Sequence, residues 1–270
     1  KVLNDKSRLV AVVKARQIGL TELASVMAIM IALGSNKSDV WILGTNHEGA
    51  KELVWRAKAW YDAINLTTEG IPQIVKSSTE EIVFSNNSRI KALPNTAASI
   101  RGKTGTVIMD EAAHFANDEE IWTAFAPVIS SSNDLRLFMF STPFGQRGVF
   151  YRACHGLLDG ENLKWSVHKI DVHQAIKDGH SPDVLDLRSS FSEEGWAQEF
   201  LCSFLSQQGK YLSASLIQKC YEVKIPKDEM RYVEKKVLGI DLASKKDMSI
   251  TVECDWNGEQ GFRIYNPKIL

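Results

Sequence analysis

The chain has 270 residues, of which 44% are hydrophobic and 24% charged, and its formal net charge at pH 7 is −1. This length accommodates one large domain or two smaller ones, and the near-neutral charge excludes a strongly basic protein that wraps nucleic acid. The longest apolar run, Leu23 to Leu33, is too short to cross a bilayer, and no secretory leader pattern is present. The four cysteines form no Cys-x-x-Cys pair, so we expect reduced thiols in a cytosolic compartment.

The first predicted unit is a strand, a loop and a helix closed by glycine: Arg8 to Val13, Lys14 to Thr21, Glu22 to Leu33, and Gly34. This order is the frame of a phosphate-binding loop, in which free N–H groups at the start of the helix contact phosphate. The chain begins at Lys1 without Met and stops soon after a strand-like run, so we expect a fragment of a longer protein.

The loop matches the pattern G-x-x-x-x-G-K-[ST] only in part. Gly19 and Thr21 fit, whereas Lys14 stands where the first glycine belongs and Leu20 where the lysine belongs. Lys14 could supply the missing charge from the start of the loop, and Thr21 could reach Mg²⁺. The alternative is a plain strand-turn-helix connection in which Lys14 and Arg16 are surface charges.

Alternation of strands and helices continues along the chain. A strand over residues 39–45 is followed by a helix that Asn46 caps and that runs to about Ile64; its Leu53, Trp60 and Ile64 have near-helical spacing and are predicted to lie in the core. Two strands, residues 81–85 and 88–93, flank a turn at Asn86-Asn87. Residues 95–105 form a polar loop that contains Arg101-Gly102.

A buried strand that begins at Thr106 ends in two adjacent carboxylates, Asp110 and Glu111. The carboxyl end of a buried parallel strand lies at the edge of the sheet where open α/β folds bind their ligands. One carboxylate can hold Mg²⁺ while the other polarises a water, as nucleotide hydrolysis requires. The alternative is a strand that ends in a solvated acidic turn.

A helix over residues 118–129 and a strand over residues 135–140 follow, and the strand runs into Ser141-Thr142-Pro143. Hydroxyls at a strand end beside a proline-fixed turn can sense a phosphate across the sheet edge and move the next segment. An ordinary Ser/Thr turn is the alternative.

The region from Phe144 to Lys227 has a weaker pattern. Gly145 and Gly148 indicate a flexible turn, and residues 192–204 an amphipathic helix with Ser192 as its N-cap. His168 and His173 lack a third metal ligand at suitable spacing, so we interpret them as structural or surface residues.

The segment beginning at Pro226 is predicted to be a linker. A further strand, Lys236 to Ala243, contains Asp241 among apolar residues. A carboxylate inside an apolar strand is costly to bury unless it binds a cation or a partner, which makes Asp241 a candidate for a second metal site.

Five motifs in this order resemble the large terminase subunit of tailed bacteriophages: Lys-x-Arg-Gln-x-Gly-x-Thr; Ile-Val-Phe-x-Asn-x-Ser-x-Ile with Arg101-Gly102; Val-Ile-Met-Asp-Glu-Ala; Phe-Ser-Thr-Pro; and Gly-Ile-Asp. They cover about Leu9 to Asp255. The resemblance implies an α/β fold of the RecA-like P-loop ATPase type, with a mainly parallel sheet and a small lid subdomain, followed by the start of an RNase H-like nuclease. It also implies a motor that translocates double-stranded DNA and cuts concatemers.

The resemblance assigns roles to individual residues. Nucleotide binding falls to Lys14, Ala15, Arg16, Gln17, Ile18, Gly19, Leu20 and Thr21. Asp110 and Thr21 would hold Mg²⁺, Glu111 would be the catalytic base, and Arg101 would reach the nucleotide of a neighbouring subunit. Ser141, Thr142 and Pro143 would form a coupling motif, and Asp241 would bind the nuclease metal. Leu20 departs from the usual loop lysine, although some terminases carry that lysine at the start of the loop, as Lys14 is here.

The implied domains are an ATPase core over residues 1–149, a lid over 150–225, a linker over 226–235, and the first strands of an incomplete nuclease over 236–270. The implied cofactors are ATP and Mg²⁺, with a second Mg²⁺ or Mn²⁺ in the nuclease. The implied partners are double-stranded DNA, a portal protein, a small terminase subunit and further copies in a ring, although a monomer is possible in isolation. We expect action in the host cytoplasm, without a membrane.

Two other functions agree with parts of the pattern. A helicase-like, DNA-dependent ATPase would need a second RecA-like domain. A nucleotide-binding assembly module that does not hydrolyse ATP is left open by Leu20.

Overall fold

The computed structural model describes residues 1–131, 136–158, 164–205, 235–241, 250–257, 261–264 and 268–269, with side chains over 1–127, 136–158 and 164–205. The chain divides into two compact units, Lys1–Tyr211 and Leu212–Leu270.

The first unit is built on one sheet. Its strands are β1 (Leu9–Lys14), β2 (Asp39–Leu43), β3 (Ile74–Ser77), β4 (Glu81–Phe84), β5 (Arg89–Ala92), β6 (Thr106–Asp110), β7 (Arg136–Ser141) and β8 (Trp165–Ile170), in the spatial order β3-β4-β5-β2-β6-β7-β1-β8. All neighbours from β5 to β8 in this order are parallel, whereas β3, β4 and β5 pair antiparallel. The sheet is therefore mixed and mostly parallel.

Helices connect these strands. They are α1 (Leu20–Gly34), α2 (His47–Thr67), α3 (Ala97–Ile100), α4 (Asp118–Ser131), α5 (Gly148–Cys154), α6 (Val172–Lys177), α7 (Val184–Ser189) and α8 (Glu193–Glu199). Short 3-10 turns cover Val2–Asn4 and Ala112–His114. Within the described ranges, no helix combines the length and apolar character that a membrane span requires.

Apolar clusters cover both faces of the sheet, as parallel sheets require. Alternate residues of β1 show the division, because Val10 and Val12 pack with α1 and α2, whereas Ala11 and Val13 pack with α4, α5 and α8. Two cysteines with described side chains, Cys154 and Cys202, are free, and burial raises the pKa of each thiol to about 12.

Most predicted elements of the first unit are confirmed. The first strand-loop-helix unit, the hairpin of β4 and β5, and the capping of α2 by Asn46, whose side chain accepts a hydrogen bond from the Gly49 N–H at 2.8 Å, are all present. Helix α1 begins at Leu20, two residues before the predicted start, because Gly19 with φ of 81° ends the loop.

Three expectations for this unit were wrong. Trp60 is 40% exposed, because its indole Nε1 donates to Glu22 Oε2 at 2.9 Å instead of packing in the core. The helix predicted to reach Phe204 stops at Glu199, after which Cys202 takes a left-handed φ of 55°. The loop of residues 95–105 contains the short helix α3.

The described part of the second unit is a small antiparallel sheet. Its strands are β9 (Lys235–Asp241), β10 (Ile250–Asn257), β11 (Gly261–Ile264) and β12 (Lys268–Ile269), and β10 pairs with each of the other three. Asp241 is the last residue of β9 and pairs with Ile250 through the backbone, although a central position in a longer strand was predicted. The predicted linker, apart from Lys235, lies outside the described residues.

Candidate active site

The candidate site lies where three neighbouring parallel strands of the first unit end. Strands β6, β7 and β1 are adjacent, and their register pairs Asp110 with Phe140 and Val13 with Ser141. Because the carboxyl ends of parallel strands meet at one edge, the structure brings together three predicted segments. These are the loop 14–21, the Asp110-Glu111 pair, and Ser141-Thr142-Pro143.

The loop has an ordered backbone that leads into α1. The N–H groups of Ala15 and Arg16 donate to the carbonyls of Ile170 and Glu199, each at 2.8 Å. Gln17 and Gly19 have φ values of 58° and 81°, and no side chain caps α1. The N–H groups of the first helical turn therefore remain available to an anion.

Position 20 faces the core. Leu20 is 7% exposed and packs in the same cluster as Val10 and Ala24. A lysine side chain at this position would therefore have to leave the apolar cluster before it could meet a phosphate. The buried cation of this loop is instead Lys14, which is 5% exposed.

Lys14 and Glu111 form the central ion pair of the site. The Lys14 Nζ lies 2.5 Å from Glu111 Oε1, and the two side chains are 6% and 35% exposed. The other carboxylate oxygen, Oε2, accepts from Ser141 Oγ at 3.3 Å and from the Thr142 N–H at 3.4 Å. Glu111 is thus held on one side by the loop lysine and on the other by the predicted coupling motif.

Asp110 lies deeper and contacts the first turn of α1. It is 7% exposed, and its Oδ2 accepts a hydrogen bond from Thr21 Oγ1 at 3.0 Å. Burial raises the pKa of Asp110, and the neighbouring Glu111 raises it further, against the opposing effects of Lys14 and Thr21. A buried carboxylate whose charge is incompletely balanced favours a nearby cation.

A magnesium ion fits this pair of oxygens. The described side chains include no cluster of three or more His, Cys, Asp or Glu that could hold a metal. Magnesium bound with a nucleotide needs only one or two protein oxygens, because phosphates and waters complete its octahedron. Thr21 Oγ1 and Asp110 Oδ2 are oxygen donors of this kind.

His114 was assigned no role from the sequence, and the structure places it beside the predicted coupling motif. Its Nε2 lies 3.1 Å from Thr142 Oγ1, and its ring packs on Phe144 with centroids 4.7 Å apart. The Ala113 N–H also donates to Ser141 Oγ at 3.2 Å. The only signal in the sequence was the position of these residues directly after Glu111.

The remaining candidate residues lie apart from this cluster. Arg101 is exposed after α3, and among the described contacts no hydrogen bond or ion pair joins its side chain to Lys14 or Glu111. The side chain of Asp241 is outside the described residues. His168 Nε2 pairs with Asp5 Oδ2 at 2.7 Å and His173 is exposed, which agrees with structural and surface roles.

Solved structures of large terminases share this fold. The Thermus phage P74-26 large terminase ATPase domain has a TM-score of 0.55 at 18% identity, and covers 75% of this chain and 90% of that one. The large terminase of a thermophilic bacteriophage, solved in complex with ADP, has a TM-score of 0.58 at 12% identity and covers 96% of this chain and 63% of that one. The first unit is therefore a RecA-like α/β fold.

Curated relatives of similar sequence include two gp28 proteins. Mu-like prophage FluMu protein gp28 of Haemophilus influenzae is 25% identical over 242 residues, covering 80% of this chain and 47% of that protein. A probable terminase, large subunit gp28 of Escherichia phage Mu is 26% identical over 253 residues, covering 79% of this chain and 44% of that protein. The chain spans about half the length of these relatives.

A sequence model of one family also matches. Its description is terminase large subunit, T4likevirus-type, N-terminal, and it covers residues 11–219. The match includes the whole described sheet of the first unit apart from the first residues of β1, together with every residue of the candidate site. The chain therefore belongs to the terminase large subunit family.

Proposed function

We propose that this chain is the ATPase part of a motor that packages double-stranded viral DNA. The observation that supports this most is the position of Glu111, which contacts Lys14 on one side and the Ser141-Thr142 segment on the other. A carboxylate shared between a phosphate-binding loop and the proposed coupling motif suits an enzyme that converts hydrolysis into movement. The family match favours this function over a helicase-like ATPase.

Nucleotide binding would use the start of α1 and Lys14. The triphosphate would lie over the free N–H groups at the N-terminus of α1, where the helix dipole favours an anion. Lys14 would then exchange part of its contact with Glu111 for a phosphate oxygen, because one ammonium offers three donors. This exchange would free Glu111 Oε1 to accept a hydrogen bond from water.

Hydrolysis would follow by in-line attack of that water on the γ-phosphorus, which breaks the bond to the oxygen bridging the β- and γ-phosphates and releases ADP and phosphate. Glu111 would orient the water and accept its proton, and Lys14 would stabilise the charge that develops on the phosphate. Thr21 and Asp110 would hold Mg²⁺, which neutralises charge on the β- and γ-phosphates when bound.

The remaining roles are also proposals. Arg101 would complete the site of a neighbouring subunit in a ring, and Ser141, Thr142 and Pro143 would pass the change at Glu111 to the segment after β7. Portal protein, small terminase subunit and DNA would be the partners. Asp241 would supply one carboxylate of a nuclease metal site, which needs several converging carboxylates.

The test is the substitution Glu111→Gln, which keeps the size of the side chain and removes its charge. We expect it to retain ATP binding and to lower turnover by about 10²–10⁴-fold, the usual contribution of a general base. Turnover is measured as phosphate release over a range of protein concentrations, and binding with a fluorescent ATP analogue.

The matched control is Glu119→Gln, since Glu119 is 60% exposed and pairs with Arg152 away from the site. It should leave turnover unchanged. Turnover near the parent level in Glu111→Gln would refute the assignment of the base. A parent that binds ATP without hydrolysing it at any concentration would favour the assembly module.

A further inference from the structure

The C-terminus of α8 contacts two segments around the candidate site, the loop 14–21 and the turn after Pro143. On one side, the Arg16 N–H donates to the Glu199 carbonyl at 2.8 Å, and Arg16 Nη1 lies 3.8 Å from Glu199 Oε2. On the other side, the Gly145 N–H donates to Gln198 Oε1 at 3.4 Å. Gly145 follows directly after Ser141-Thr142-Pro143 and Phe144, and we call residues 141–145 the coupling segment. Two consecutive residues of α8 therefore link the phosphate loop to the end of this segment.

This end of α8 is itself firmly fixed. The Phe200 carbonyl accepts from the Val172 N–H at 2.9 Å, and the ring of Phe200 stacks on Trp196 with centroids 4.4 Å apart. Trp196, Phe200 and Cys202 are all buried in the core. Gln198 and Glu199 therefore project from an anchored segment and can hold the two loops in a defined geometry.

The charge of Glu199 calls for a cationic partner. It is the last residue of α8, where the negative end of the helix dipole disfavours a carboxylate. Arg16 provides the compensating charge. The Arg16 side chain is 56% exposed and the Glu199 side chain 17% exposed. The pair is long, at 3.8 Å, and its cation is more than half exposed, which makes the interaction weak, so the Arg16 guanidinium can exchange Glu199 for a phosphate oxygen.

We infer that the C-terminus of α8 is a positioning element of the nucleotide site, in which Gln198 holds the coupling segment and Glu199 competes with a nucleotide phosphate for Arg16. This inference rests on the proposed function. It adds Glu199, which lies outside the recognised motifs, to the residues that serve that function. Glu199 would limit how tightly the loop retains a nucleotide, including the ADP left after hydrolysis. Neutralising Glu199 should leave the charge of Arg16 fully available to phosphate.

The first experiment measures binding of a fluorescent ADP analogue to Glu199→Gln in the 270-residue chain. We expect the Kd to fall by about two- to fivefold, which is the range of exposed ion pairs. The backbone carbonyl of Glu199, and with it the contact to the Arg16 N–H, is unchanged by this substitution. Glu199→Ser is a second neutral variant, should Glu199→Gln fail to fold, and should shift the Kd in the same direction.

Two controls separate this effect from a general change in charge. Glu193→Gln removes one charge from the same helix, at a side chain that is 88% exposed and paired with Arg188, and should leave the Kd unchanged. In an Arg16→Gln background, Glu199→Gln should not change the Kd further, because no guanidinium is left for which Glu199 and the phosphate could compete.

The other outcomes refute either the role of Glu199 or the proposed function. A Kd in both neutral variants equal to that of the parent, an equal shift in Glu193→Gln, or an undiminished shift in the Arg16→Gln background would refute the role of Glu199 while leaving the proposed function intact. Failure of the folded parent to bind the analogue at all would refute the proposed function itself.

Discussion

Lys14 is the residue whose surroundings explain the unusual phosphate loop. Its ammonium is almost fully buried and lies 2.5 Å from Glu111 Oε1, an arrangement that offsets the cost of burying a charge. Leu20, at the usual position of the lysine, packs in the core beneath the loop. We propose that the two residues have exchanged roles, with the cation entering from the end of β1 and the apolar side chain anchoring α1.

The substitution Lys14→Met tests this exchange, because methionine keeps most of the apolar stem and removes the charge. Loss of a charge-assisted contact to phosphate costs about 1.5–3 kcal/mol. We therefore expect kcat/KM for ATP to fall by roughly 10- to 150-fold.

Steady-state phosphate release gives kcat/KM. The control is Lys6→Met, since Lys6 is exposed, and it should leave kcat/KM unchanged. Activity in Lys14→Met equal to that of the parent would leave the loop without its proposed cation, and Arg16 would become the next residue to test.

The residue types of the site were visible in the sequence, but their contacts were not. Asp110, Glu111 and Lys14 stand out because charged residues follow directly after apolar strands. The ion pair between Lys14 and Glu111 spans 97 positions, and its existence depends on β1 and β6 lying on either side of β7. No local pattern encodes that strand order, so the pairing could only be learned from the fold.

At the scale of elements, the start of the chain is attached to the edge strand β8 through one carboxylate. Asp5 Oδ2 accepts from Ser166 Oγ at 2.6 Å and from His168 Nε2 at 2.7 Å, and Oδ1 accepts from the Ser7 N–H at 2.8 Å. Burial raises the pKa of Asp5, but the hydrogen bonds from Ser166, Ser7 and His168 outweigh it, and the net pKa lies well below the ordinary value of 3.8.

A depressed pKa means that ionised Asp5 stabilises the fold above the pKa of the unfolded chain, and that this stability is lost as the pH falls below about 4. We expect Asp5→Asn to lower the free energy of unfolding at pH 7 by about 1–3 kcal/mol. The difference between parent and variant should stay constant down to about pH 5 and shrink below pH 4.

Urea unfolding at a series of pH values measures this difference, and Asp178→Asn, at an exposed carboxylate after α6, is the control. A difference that does not shrink in acid would show that the carboxylate charge of Asp5 is not what holds this segment.

Prediction of elements succeeded where strands are buried on both faces and failed at the edges of the sheet. Strands β1, β2, β6 and β7 are continuous apolar runs because helices cover both of their faces. Strand β8 has neighbours on one side only in the described sheet, and the residues of Trp165–Ile170 are half-buried or exposed. The sequence of β8 therefore mixes polar and apolar residues as a loop does, and this strand was not predicted from the sequence. The same holds for β3.

At the scale of the whole molecule, the proposed action of Arg101 on a neighbouring subunit rests on where the candidate residues lie. Lys14, Thr21, Asp110 and Glu111 share one edge of the sheet, whereas Arg101 follows α3 and is joined to none of them by the described contacts. Residues after Arg101 form a fixed turn, in which Gly105, with φ of 110°, lies against the Asp39 carbonyl so closely that a Cβ would meet it at 2.4 Å. An exposed arginine on an ordered loop is suited to act on a neighbouring subunit.

Mixing two inactive variants tests this role. Arg101→Ala should abolish turnover in an assembled ring and scarcely change nucleotide affinity of the monomer. Mixed with Glu111→Gln, it should regain activity, because roughly a quarter of the head-to-tail contacts in an equal mixture combine an intact Glu111 with an intact Arg101.

The control is a mixture of Glu111→Gln with Lys14→Met. In the proposed mechanism, Glu111 and Lys14 belong to the site of the same subunit, so no combination of these two variants restores a complete site. Phosphate release is measured across mixing ratios under conditions that form mixed rings. Absence of recovery with Arg101→Ala at every ratio would count against action between subunits.

The backbone of Glu111 lies in the left-handed region with φ of 55°. For any residue other than glycine, this conformation destabilises the fold by about 1 kcal/mol or more. Glycine would fit this backbone better and would lack the carboxylate that we assign to water activation. Glycine would also leave the buried Lys14 ammonium without its partner, and removing one member of a buried ion pair costs about 3–5 kcal/mol, more than the strain that glycine would relieve. The Glu111 carboxylate thus compensates for its own backbone strain by pairing with Lys14, and a search for stabilised variants of this chain needs to hold position 111 fixed.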